Sequence, residues 1–322
     1  MTNSILDEDC AKLLQGVASQ GGLKFRDLSP EVARAAVASM TEFDLPCAAP
    51  CTVENIPASG SRVASRLYLP RAPSAGASAE PVIVYLHGGG WVVGTLDTYD
   101  ALCRHLATRS GCRVLSVEYR LAPEHPFPAA YDDTLAIIRW LEQSPKELRH
   151  PVSAMALAGD SAGGELAAAA ALESTSRGGR LRAILLLYPV TDISRSHPSY
   201  ELFAENYLLL ADDMRYFAEC YAPTAELRRD PRVSPLLASD LSRLPPTTLL
   251  TCGFDVLRDE GRALGARLVQ AGVELAYLEA SGHIHGIATL RAAIPSARAP
   301  IDRAIDAFIG QLGQRPDSRT RP

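Results

Sequence analysis

From residue 81 onward the chain alternates between short apolar runs and longer stretches with apolar residues three and four apart. The short runs fall at 82–86, 114–118, 154–158, 184–188, 248–252 and 273–278. Apolar runs of that length predict strands buried on both faces. The stretches at 98–110, 129–143, 261–271 and 301–312 predict helices, as does the alanine-rich segment from 165 to 172. Strands separated by helices of this length predict an α/β architecture: a mostly parallel sheet covered by helices on both faces.

Upstream the pattern changes. Residues 10–17 and 30–40 carry helical spacing, and Ser29-Pro30-Glu31 supplies a helix start with Ser as cap and Pro in the first turn. Residues 52–57 and 62–69 predict two antiparallel strands joined at 58–61. The Ala-, Ser- and Pro-rich stretch 71–79 predicts a flexible loop, and the polar tail 313–322 predicts disorder. Between 188 and 244 the alternation breaks, with a helical patch at 214–221. The chain therefore divides into an N-terminal helical segment (1–50), an α/β body (51–312) with an insertion at about 190–240, and the tail. Because segment 1–50 precedes every strand, it must pack outside the sheet core. A lid over a site, completed by the insertion, is the functional reading; a packing appendage is the alternative. No internal repeat is present.

Composition narrows the classes. At 322 residues with 47% hydrophobic and 21% charged positions, the chain has globular composition and enough length for a large core. A net charge of −5 offers no basic surface for nucleic acid. No apolar run approaches the roughly 20 residues of a membrane span. The acidic start, Met1 to Asp9, lacks a signal-peptide pattern, so a cytoplasmic location is expected. Seven cysteines show no CxxC pairing for zinc, and reduced, packed thiols are expected, with a Cys47–Cys51 bridge as the alternative.

The chemistry concentrates where apolar runs end. Gly159-Asp160-Ser161-Ala162-Gly163 joins a strand to a helix, the nucleophile-elbow pattern in which a sharp turn lifts Ser161 to the apex. A serine hydroxyl needs a base, and the base needs an orienting acid. Asp255 lies just past run 248–252, and Asp259, a turn later, is expected to cap the next helix. After run 273–278 come two competing imidazoles, His283 and His285. The order Ser, Asp, His suits a triad built on strand ends. Oxyanion donors are expected from the N–H of Ala162 and from the loop His87-Gly88-Gly89-Gly90-Trp91.

Five segments together resemble the hormone-sensitive lipase family of bacterial esterases, carboxylesterases of the α/β-hydrolase fold. They are His87-Gly88-Gly89-Gly90-Trp91, the run Tyr119 to Ala130, Gly159 to Gly164, Leu257-Arg258-Asp259-Glu260-Gly261 and His285-Gly286. The resemblance covers roughly residues 60–312. It implies Ser161 as nucleophile, Asp255 as triad acid, His285 as general base, and Gly88, Gly89 and Ala162 as oxyanion hole. It also implies a lid from the N-terminal helices and the insertion. Trp91, Asp160, Tyr188, Tyr207 and Leu208 are the expected substrate-contacting positions. The chain departs from the family at Val256, Ile287 and His283, and none of these removes a catalytic group.

The expected reaction is hydrolysis of short- to medium-chain carboxylic esters through an acyl-enzyme, with no metal or organic cofactor. The same triad could serve amides, carbamates or lactones. A receptor on the same fold is a reading from another class, and an intact His285 argues against it. The expected partner is a small ester, with no nucleic acid and no membrane span; a homodimer through edge strand 273–278 stays open.

Overall fold

The computed structural model describes residues 5–313 apart from 20, 23, 48, 59–62, 71–78 and 179–180. The expected loop at 71–79, the turn at 58–61 and the tail at 313–322 lie wholly or mostly outside the described residues. Helices α1 (Glu8–Ser19) and α2 (Pro30–Ala38) come first, and the Ser29 hydroxyl accepts from Val32 N–H ahead of Pro30, as the sequence pattern predicts. Strands β1 (Thr52–Ala58), β2 (Val63–Leu69) and β3 (Glu80–Leu86) follow. Then come α3 (Asp100–Ser110), β4 (Arg113–Val117), α4 (Ala129–Glu142), β5 (Val152–Asp160), α5 (Ala162–Ser176) and β6 (Leu181–Leu187). The insertion holds α6 (Ser199–Leu202), α7 (Ala211–Tyr221) and α8 (Ala225–Arg228). The chain closes with β7 (Thr247–Phe254), α9 (Arg258–Gln270), β8 (Leu275–Ile284) and α10 (Arg298–Gln311).

The eight strands form one sheet in the order β1-β2-β4-β3-β5-β6-β7-β8. β2 is antiparallel to both neighbours, and every other pairing is parallel. Alternate residues feed two cores. Val82, Val84 and Leu86 of β3 join the cluster that holds α4, α5 and α9; Ile83 and Tyr85 join the one that holds α3 and α10. Each such aliphatic side chain contributes about 1.5–3 kcal/mol on burial, so burial on two faces rather than strand propensity accounts for the runs. Helix α5 packs on β5, β6 and α4, and its buried alanines at 167–171 allow that close approach.

One boundary differs from expectation in a way that matters. β8 runs past residue 278 to Ile284 and includes Ser281, Gly282 and His283, which the sequence pattern places in a loop. Its pairing with β7 continues through a bulge from Cys252↔Ala280 to Phe254↔Ile284. β8 has a partner on one side only, so polar residues there need not enter a core. At its start, Val273 instead closes α9, donating to Leu268 O at 3.0 Å.

Because β3, β5, β7 and β8 run parallel, their C-terminal ends share one rim of the sheet, where ligand sites of open α/β sheets lie. His87, Ser161, Asp255 and His285 each stand one residue past such an end. No disulfide joins the seven cysteines, so the Cys47–Cys51 alternative is not formed. Among the described residues no helix is long and apolar enough to cross a membrane.

Candidate active site

The turn at Ser161 is strained. Its φ of 52° and ψ of −119° lie where non-glycine residues cost about 1–3 kcal/mol. The surroundings hold it there: Ser161 N–H donates to Leu187 O at 2.9 Å, and its carbonyl accepts from Val190 N at 3.0 Å. The flanking glycines permit the reversal. A Cβ on Gly159 would collide with the Gly163 carbonyl, and one on Gly163 with the Leu86 carbonyl. Any larger residue would push strand and helix apart.

Three side chains meet at this apex. His285 Nε2 lies 3.0 Å from Ser161 Oγ, and His285 Nδ1 lies 2.7 Å from Asp255 Oδ2. A carboxylate only accepts, so Nδ1 carries the proton and Nε2 faces the serine with a lone pair. Asp255 is 1% exposed, and its other oxygen accepts from Leu257 N–H at 2.9 Å, which fixes the carboxylate plane. Asp259 does not share this site; it pairs with Arg258 at 2.7 Å and Arg262 at 3.5 Å, so its expected cap role gives way to ion pairs. His283 points elsewhere, toward Ser296.

The loop after β3 corrects two expectations. Gly88 N–H is already committed, donating to Asp160 Oδ1 at 2.9 Å with the Tyr99 hydroxyl at 3.0 Å, and so has no N–H to offer an oxyanion. Among the described residues the N–H groups of Gly89 and Gly90 make no such bond, and Ala162 N–H opens α5. Asp160 is not a substrate contact either. It is 3% exposed and also accepts from Tyr85 and Tyr99 hydroxyls at 2.8 and 2.9 Å, so it ties the elbow to this loop. Burial pushes its carboxyl above the ordinary range even though both tyrosines favour the charged form.

Trp91, too, is turned away from any substrate. It is fully buried, stacks on Tyr221 with ring centroids 4.3 Å apart, and donates from Nε1 to Glu165 Oε2 at 2.9 Å. Burial pushes the Glu165 carboxyl well above its usual range. Tyr188 is 1% exposed, its hydroxyl accepts from Ala288 N–H at 3.0 Å, and its ring meets His285 edge-on at 4.8 Å. It braces the imidazole rather than lining a pocket. Tyr85, Tyr99 and Glu165 escaped the sequence reading; the one available signal was a tyrosine inside an apolar strand, whose hydroxyl needs a buried partner.

Residues 83–289 match the alpha/beta hydrolase fold family. The chain is 40% identical over 238 residues to the carboxylic ester hydrolase LipN of Mycobacterium tuberculosis, covering 71% of this chain and 62% of that protein, just under two thirds of its length. It is 38% identical over 251 residues to an ethyl acetate hydrolase of Pseudomonas putida, covering 77% and 79%. The crystal structure of LAE6, an α/β hydrolase enzyme from the metagenome of Lake Arreo, Spain, superposes with a TM-score of 0.88 at 36% identity, covering 96% of this chain and 99% of that one. The chain belongs to the hormone-sensitive-lipase-like α/β hydrolases.

In this hydrolase the two remaining expected contacts, Tyr207 and Leu208, line a cavity of about 880 Å³ between α1 and the start of the insertion. Leu6, Leu14 and Leu210 contribute apolar wall, and Lys24, Asp212 and Arg215 contribute charge. None of Ser161, Asp255 and His285 lines it. Asn206 and Leu208 both hold left-handed backbones, with φ of 71° and 70°, in the loop over this cavity. The two segments beside it are joined: Phe25 N–H donates to Asp213 Oδ1 at 2.9 Å, Arg26 pairs with Asp212 and Glu219, and Phe25 packs on Phe217 at 5.1 Å.

Proposed function

We propose that Ser161, His285 and Asp255 carry out ester cleavage in this carboxylic ester hydrolase, through a covalent acyl-enzyme. The observation that carries this reading is the continuous chain of two hydrogen bonds, 2.7 Å from Asp255 to His285 and 3.0 Å from His285 to Ser161. As Ser161 Oγ bonds to the ester carbonyl carbon, its proton passes to His285 Nε2. The carbonyl oxygen becomes an oxyanion, and the N–H groups of Gly89, Gly90 and Ala162 are the donors left to receive it. Collapse breaks the bond to the alkoxy oxygen, which takes the proton from His285 and leaves as alcohol. Water then repeats the sequence on the acyl-enzyme, giving the acid and restoring Ser161.

The N-terminal segment 1–50 and the insertion at about 190–240 serve as a cap. Their shared contacts at Phe25 and α7, and the cavity between them, support that role. Tyr207 and Leu208 then shape the entry for the ester, whose acyl group is of short to medium chain length. Thiols packed in the core at Cys10, Cys103 and Cys252 suit a reducing cytoplasm. The open edge of β8, with Tyr277 41% exposed, is where a second copy could pair; size-exclusion chromatography with Tyr277→Lys tests this.

The decisive experiment measures hydrolysis of p-nitrophenyl esters from acetyl to palmitoyl by the wild type and Ser161→Ala. Turnover that peaks at short chains and vanishes in the variant is expected. Turnover that survives in folded Ser161→Ala would overturn the mechanism.

A further inference from the structure

His283 takes no part in the reaction above, yet its surroundings are built. Its Nε2 lies 3.2 Å from Ser296 Oγ, and that hydroxyl donates to Asp7 Oδ1 at 2.6 Å. A hydroxyl has one proton and a carboxylate has none to give, so the Ser296 proton belongs to the Asp7 bond. Nε2 of His283 must then be the donor to Ser296. In the neutral ring this leaves Nδ1 as a bare lone pair, and Nδ1 is buried with no hydrogen-bond partner among the described residues.

Beside this imidazole stand a carboxylate and a thiol. One ligand atom each from Asp7, Cys10 and His283 lie within 4.8 Å of one another. Asp7 spends Oδ1 on Ser296 and on the N–H groups of Asp9 and Cys10 at the start of α1; its Oδ2 enters none of these bonds. Cys10 is fully buried in the core cluster that also holds Ile284. The arrangement is held from behind: Ser296 N–H donates to Asp9 Oδ2 at 3.1 Å, and Asp7 N–H donates to Gly282 O at 2.9 Å.

We propose that Asp7, Cys10 and His283 bind a thiophilic divalent cation, with zinc the ion of choice. One thiolate, one imidazole nitrogen and one carboxylate oxygen form a donor set that zinc accepts in tetrahedral geometry, and water supplies the fourth ligand. Binding forms the metal–sulfur, metal–nitrogen and metal–oxygen bonds and breaks the Cys10 S–H bond, whose proton goes to solvent. Ser296 acts as the outer partner that fixes which ring nitrogen faces the ion. The ion ties α1, whose Leu14 lines the large cavity, to the end of β8, two residues ahead of His285. It is a clamp on the N-terminal segment and stands apart from ester cleavage.

The test uses cadmium as a spectroscopic probe on the full chain, followed by competition with zinc. One equivalent of cadmium should produce the ultraviolet charge-transfer band of a metal thiolate, zinc should displace it, and zinc should raise the thermal unfolding midpoint. Cys10→Ser should abolish the band, and His283→Gln should weaken binding about tenfold or more. Cys220→Ser, which removes a half-buried thiol on α7, should change nothing. Hydrolysis of p-nitrophenyl acetate in the presence of chelator reports that each variant is folded, since none of these residues is in the triad. His283→Gln alone decides if Cys10→Ser does not fold. Absence of the band in the wild type, a band that persists in folded Cys10→Ser, or unchanged affinity in His283→Gln would each overturn the proposal.

Discussion

Two imidazoles separated by a single residue, His283 and His285, belong to two different regions of the molecule. His285 stands on the catalytic rim, where Asp255 at 2.7 Å requires a proton on Nδ1 and leaves Nε2 open toward Ser161. His283 stands beside Asp7 and Cys10 of the N-terminal segment, where Ser296 at 3.2 Å requires the proton on Nε2 and leaves Nδ1 with a bare lone pair. The same side chain is thus set as two opposite tautomers by its neighbours. One lone pair is aimed at a hydroxyl proton; the other belongs to a ring set beside a carboxylate and a thiol. What an imidazole can do follows from the partner on its far nitrogen, more than from its place in a motif.

The sharpest way to break this contrast is to exchange each ring. His285→Gln should lower kcat/KM by about 10⁵-fold or more, because nucleophile and base act as a unit, while His283→Gln should stay within about twofold. Steady-state kinetics with p-nitrophenyl acetate checks both, and a comparable collapse in both variants would place His283 in the reaction. Next in size, Asp255→Asn should cost about 10⁴-fold by presenting an amide donor to Nδ1 and so favouring the wrong tautomer. Activity near wild type in that variant would remove Asp255 from the triad.

A third histidine extends the comparison to stability. His87 is fully buried, stacks on Tyr119 at 4.2 Å, and donates from Nδ1 to Gly88 O at 2.7 Å; burial depresses its pKa to about 4. The unfolded chain takes up that proton near 6.5 while the folded chain refuses it until about 4. Between those values the unfolded state binds more protons, so stability falls as pH falls. Lowering the pH from about 7 to about 5 should cost about 2 kcal/mol from this residue. Urea denaturation of the wild type beside a folded His87→Gln variant measures it. Asp160, Glu165 and Glu260, whose carboxyls burial pushes up, act in the opposite sense but cancel in the difference. The smallest effect is expected from Ser296→Ala, which frees the His283 tautomer: cadmium affinity should drop about tenfold, with ester hydrolysis unchanged.

Much of this was legible in residue order. Doubly buried strands and amphipathic helices write periods of their own, so the α/β alternation and the body of the sheet could be read before any coordinates. The elbow is local as well, since Gly159, Ser161 and Gly163 lie within five positions and answer to one steric demand. The order Ser161, Asp255, His285 on successive strand ends followed from those two readings.

What the sequence could not determine was which buried polar group meets which. Gly88 reads like its neighbouring glycines, but Asp160 and Tyr99 take its N–H; Trp91 reads like a substrate contact, but Glu165 and Tyr221 enclose it. Cys10 and His283 lie at opposite ends of the chain, and no spacing rule could pair them. Periodicity records which face of an element is dry and is satisfied by any apolar neighbour. A hydrogen bond or ligand set needs particular atoms at particular distances, and only the packed tertiary structure supplies those.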